Sequence, residues 1–130
     1  MRIKQNTYGL DKNFLITLSK LARVSTNNLV VKIQKSSSST DLGSKYGNCS
    51  GICFKSYNGK PFIGLRITKD ASQEQIGRLW LHELSHHRSN IRETNWQRKH
   101  LGENSHKYWG GEGRADKFAE KIWSKYLLTI

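Results

Sequence analysis

The chain has 130 residues, 35% of them hydrophobic and 25% charged, with a net charge of +12. That length gives one domain with a real core and excludes a two-domain enzyme. The hydrophobic share excludes a wholly disordered chain, and no apolar run is long enough for a membrane-spanning helix. The basic excess points to nucleic acid, an anionic membrane or acidic partners, or to a surface kept basic for solubility. It lies mainly in the first half: residues 1–70 hold twelve Lys and Arg against three acids, and residues 71–130 hold ten against seven.

Residues 1–10 are polar and basic and read as a loose arm. From Asp11, a suitable N-cap, Phe14, Leu18, Leu21 and Ala22 recur at helical spacing, which predicts a helix over 11–23 covering one face of a sheet. Residues 29–34 are rich in β-branched side chains and predict a strand. The Ser-rich stretch 36–44 cannot bury apolar area and predicts a mobile loop. Asn58-Gly59 suits a type I′ turn, so 51–57 and 60–68 predict a hairpin with Ile63, Leu65 and Ile67 facing the core. The expected sheet has three strands, is mostly antiparallel and leaves its edges exposed. Cys49 and Cys53, the two cysteines, fall on a strand about 13 Å apart, too far to bridge. Two free, partly buried thiols in a reducing compartment are expected. With no apolar signal segment at the N-terminus, the expected location is cytoplasmic, with no membrane partner.

Ser72 and Gln75 form a capping-box pattern, and Ile76, Leu79, Trp80 and Leu84 give the apolar stripe of a helix ending near His87 or Arg88. In its last two turns stands His82-Glu83-Leu84-Ser85-His86, which reads H-E-x-x-H. Histidines four apart share one helix face and can both reach a zinc ion at about 2.0–2.1 Å. Glu83, about 100° further round, is placed to touch a water on the metal. With five His and six Glu in the chain, chance supplies this pattern about 0.01 times. Residues 89–109 read as an irregular segment or short helix, and Gly110-Gly111 breaks the chain. Glu112, Ala115, Asp116, Ala119, Ile122, Trp123 and Tyr126 then predict a last helix of about 16 residues. A catalytic zinc wants a third protein ligand, for which His100, His106, Glu103, Glu112 and Asp116 are candidates. Glu112 and Asp116 share a face, the arrangement needed if Glu112 bound zinc while Asp116 accepted the outer N–H of a ligand histidine; on spacing alone, a pair of acids favoured at a helix N-terminus for electrostatic reasons is the stronger reading.

The pairing of His82-Glu83-Leu84-Ser85-His86 with Glu112-Gly113-Arg114-Ala115-Asp116-Lys117-Phe118-Ala119 resembles the H-E-x-x-H plus E-x-x-A-D-x-F-A pattern of gluzincin metallopeptidases, notably the ImmA/IrrE-type and minigluzincin families. These motifs span about a third of the chain. The resemblance implies an α+β zincin-like fold: an N-terminal helix, a sheet, an active-site helix, and a C-terminal helix bearing the third ligand, with a substrate groove between. It implies His82, His86 and Glu112 as zinc ligands, Glu83 as general base and Asp116 as the partner of a ligand histidine. The basic charge is more like SprT-like proteases, which bind zinc through three histidines, so that His100 or His106 would replace Glu112. Against this, the expected His-Gly pair is absent, since Lys107 follows His106. Metzincins are excluded by the lack of G-x-x-H after His86 and because Met1 is the only Met available for a Met-turn.

The expected activity is therefore zinc-dependent hydrolysis of peptide bonds in a protein or peptide substrate, with Glu83 moving the proton. Tyr108, His106 or His100 could stabilise the oxyanion. The rival readings are a catalytically silent zincin fold and a basic nucleic-acid-binding module using the N-terminal half, where cations alternate with Tyr46, Phe54, Tyr57 and Phe62.

Overall fold

The computed structural model describes residues 1–37, 46–92 and 112–130 and the backbone of 93–100. Its elements are β1 (Arg2–Asn6), α1 (Lys12–Ala22), β2 (Val30–Lys35), β3 (Cys49–Tyr57), β4 (Lys60–Ile67), α2 (Gln73–His100) and α3 (Glu112–Leu127). The described fold is α+β, three helices with a four-stranded mixed sheet ordered β1-β2-β4-β3.

Short-range chemistry explains the element ends. α1 starts where the Asn13 N–H donates to Asp11 Oδ1 at 2.9 Å and stops at Arg23, whose φ of 55° is left-handed. α2 starts at a reciprocal cap: Ser72 N–H donates to Gln75 Oε1 at 2.9 Å and Gln75 N–H to Ser72 Oγ at 3.1 Å. The hairpin turns at Asn58 and Gly59, with φ of 54° and 82°, as type I′ requires. The inward alternation of β4 also holds: Ile63, Leu65 and Ile67 are buried.

One core cluster joins Leu15 and Leu18 of α1, Val31 and Ile33 of β2, Ile63 of β4, and Trp80 and Leu84 of α2. Trp80 Nε1–H donates to Ser19 Oγ at 3.0 Å, which donates on to Leu15 O at 2.7 Å. His87 Nε2–H donates to Ser25 O at 3.0 Å; burial lowers its pKa, so it is a neutral clasp between α2 and the loop after α1. Among the described residues, no helix is long and apolar enough to cross a membrane.

Three expectations about organisation need correction. Residues 2–6 are an edge strand rather than part of a loose arm: Arg2 and Ile3 pair in parallel with Val30 and Val31. A single inward side chain, Ile3, suffices because the ladder satisfies the backbone. The sheet has four strands, and only β3–β4 is antiparallel, since β2 pairs in parallel with both β1 and β4. Third, α2 does not end near Arg88 but continues to His100. The apolar stripe stops there, yet residues 88–100 contain no Gly or Pro to break the helix. H-E-x-x-H therefore lies mid-helix. Residues 38–44 of the Ser-rich stretch, on which the mobile-loop expectation falls, lie outside the described residues.

Cys49 and Cys53 form no disulfide and sit on β3 opposite Ile67 and Ile63, on the core side. Burial pushes both thiols up to about 12, helped at Cys53 by the charge of Glu83. At pH 8 their thiolates are scarce, so iodoacetamide should modify them at least about 100-fold more slowly than an exposed cysteine. Rapid double labelling, read by mass spectrometry, would mean that β3 opens readily.

Candidate metal centre

α2 and α3 cross so that the middle of one meets the start of the other. His82 and His86 stand one turn apart on α2, and Glu112 and Asp116 one turn apart on α3. The contacts pair them in antiparallel order. His86 Nε2 is 2.9 Å from Glu112 Oε1, His82 Nε2 is 3.0 Å from Glu112 Oε2, and the two Nε2 atoms are 3.2 Å apart.

On its other side His82 Nδ1 lies 2.9 Å from Asp116 Oδ1. An ionised carboxylate only accepts, so the proton sits on Nδ1, and the Nε2 lone pair is left aimed at His86 and Glu112. Tyr46 donates its hydroxyl to the same Asp116 Oδ1 at 3.1 Å. Burial, and then the charge of Asp116, hold the Tyr46 phenol above its ordinary value, which keeps it a donor.

Glu83 is buried beneath β3. A Cβ at Gly51 would lie 3.0 Å from Glu83 Cγ and 3.1 Å from its Oε1, so the strand approaches this carboxylate because Gly51 has no side chain. Burial, and then the charge of Glu112, push Glu83 up to about 7. Glu112 is 76% exposed along its side chain and His82 only 6%; the cluster is thus buried on the α2 side and open to solvent on the α3 side.

His82, His86 and Glu112 are the group among the described residues that could hold a metal ion, one ligand atom each. The donor chemistry fits zinc: two imidazole nitrogens and a carboxylate converge on one point. Tetrahedral bonds of about 2.0–2.1 Å would set such donors about 3.3 Å apart, close to the 2.9–3.2 Å found. Three carboxylates, Glu83, Glu112 and Asp116, gather here in a chain of net charge +12, a concentration of negative charge that a divalent cation would offset.

The structure thus brings together Glu83, His82, His86, Glu112 and Asp116. His100 ends α2, with its side chain outside the described residues; Glu103, His106 and Tyr108 lie wholly outside them. Tyr46 and Gly51 join the site without any signal that marked them: Tyr46 had stood only among the aromatics of the basic half. Compared with protein-family models, curated proteins and solved structures, the chain gives no significant match.

Proposed function

We propose that this protein is a zinc-dependent metallopeptidase with a zincin-like fold of the gluzincin type. The observation that carries the reading is the convergence of His82 Nε2, His86 Nε2 and the Glu112 carboxylate, with Asp116 holding the tautomer of His82. These three side chains would hold the metal. When bound, zinc supplies Lewis acidity, which brings the pKa of a water down to about 7 and polarises a carbonyl.

Glu83 then has the work of a general base. Its carboxylate accepts the proton of the attacking water and returns it to the leaving amine nitrogen, so one group serves both half-steps. Asp116, fixed by Tyr46, keeps the His82 ring from turning and raises its basicity as a ligand. β3 is one of the two edge strands of the described sheet, and Gly51 on it closely approaches Glu83. An extended peptide adding to this edge by main-chain hydrogen bonds passes the carboxylate.

Metal analysis tests the proposal directly. After dialysis against trace zinc, the wild type should hold about one ion per chain and Glu112→Ala none, while Asp116→Asn should bind about 10- to 100-fold more weakly. Equal zinc in wild type and Glu112→Ala, or none in either, would remove the metal centre and the peptidase with it.

A further inference from the structure

The face of the sheet turned away from the helices takes no part in the site. Alternation sends Lys32 of β2, Phe62 and Arg66 of β4, and Ile52 and Phe54 of β3 to it, because their neighbours Val31, Ile63 and Leu65 are the ones in the core. Three rings form its centre: Phe54 stacks on Tyr57 at 5.9 Å and on Phe62 at 6.0 Å between centroids. Phe54 is 38% exposed and Tyr57 49%. Gly64 leaves room for this cluster, since a Cβ there would lie 3.1 Å from Phe62 Cε1 and 3.2 Å from Ile52 Cγ2.

Cations surround the rings. The four strands hold seven Lys and Arg and no Asp or Glu. Among the described residues, no carboxylate pairs with Arg2, Lys4, Lys32, Lys60 or Arg66. A hollow of about 200 Å³ is lined by Arg2, Lys4, Lys32 and Lys60 beside Tyr57 and Phe62. A second, of about 230 Å³, shares Lys32 and Phe62 and reaches Arg66.

Positive charge ranged along one sheet face, with no paired carboxylate among the described residues, is complementary to a polyanion. Exposed rings among those charges give unpaired bases a surface to stack on, which a duplex cannot use because its base faces are already stacked. The helical side is also basic, with Lys20, Arg23, Lys121 and Lys125 around one hollow. Its aromatic residue there, Phe118, is buried and is capped on one face by the Arg88 guanidinium at 4.1 Å. We propose that the outer sheet face binds single-stranded nucleic acid, with phosphates on Arg2, Lys4, Lys32, Lys60 and Arg66 and bases on Phe54 and Tyr57. The proposal does not depend on the metal centre, so either can fail alone.

The test is fluorescence anisotropy of a labelled oligothymidine of about 20 nucleotides, long enough to cross a single small domain. Five phosphate contacts predict that log K falls against log salt with a slope of about −3.5. Lys32→Gln with Arg66→Gln should flatten the slope by about 1.4. Phe54→Ala with Tyr57→Ala should weaken binding about tenfold or more at unchanged slope, and Tyr57→Phe alone should bind as wild type. Lys121→Gln with Lys125→Gln on α3 should change little. The proposal is overturned by absence of binding at low salt, by equal losses from the α3 pair, by indifference to loss of both rings, or by sheet-face variants that affect only phosphatidylserine vesicles.

Discussion

Glu83→Gln is expected to lower peptide turnover by about 10²- to 10⁴-fold while leaving zinc content and folding as in the wild type. The amide matches the carboxylate in shape, so the close packing beneath Gly51 is preserved. What is lost is the capacity to accept a proton from water and give it to the amine nitrogen, because an amide is not a base at neutral pH. The substitution also removes a buried charge beside Glu112, so folding stability should hold or rise slightly. A pool of quenched-fluorescence peptides, assayed beside metal content on the same preparations, gives the measurement. Turnover in the variant within a few-fold of wild type would take Glu83 out of the reaction. A parallel loss of zinc would instead make it a structural support of the centre.

How much of the structure the amino-acid sequence reveals follows the range of each interaction. The cap at Asp11, the box at Ser72 and Gln75, and the turn at Asn58-Gly59 are decided within a few residues, and each stands as expected. The proximity of His82 to His86 is a property of one helix. Their approach to Glu112 and Asp116 was expected from the resemblance to the gluzincin pattern; the i, i+4 spacing of both pairs allows two helices to meet as rails of matching pitch, but spacing alone suits acids at a helix N-terminus equally well. The parallel strand β1 was not legible: Ile3 is its one inward apolar side chain, and its partner Val31 lies far along the chain. Strand order fails for the same reason, since the hairpin fixes β3 beside β4 but not which of them meets β2. Tyr46 and Gly51 were unmarked because their roles arise from contacts with Asp116 and Glu83, formed only once the sheet lies across α2.

Gly77→Ala should destabilise the protein by about 1–3 kcal/mol, although alanine is the better helix former by up to about 1 kcal/mol. Gly77 lies inside α2, and a Cβ there would overlap the Trp123 ring of α3 and come 3.1 Å from Phe14 Cζ of α1. Trp123 is buried and packs edge-on against Phe14 at 6.3 Å and tilted against Tyr126 at 5.0 Å. A ring held on both sides cannot swing away cheaply, so the helices must separate. Gly77–Trp123, His82–Asp116 and His86–Glu112 are successive contacts of one antiparallel helix pair. Separation at the first contact therefore propagates to the other two, and the variant should lose zinc affinity as well as stability. Urea unfolding and zinc titration of Gly77→Ala, alone and combined with Trp123→Leu to relieve the overlap, measure both effects. Rescue of zinc binding in the double variant is the expected sign that helix spacing sets the centre. A Gly77→Ala protein as stable as wild type would mean that α2 and α3 do not approach so closely.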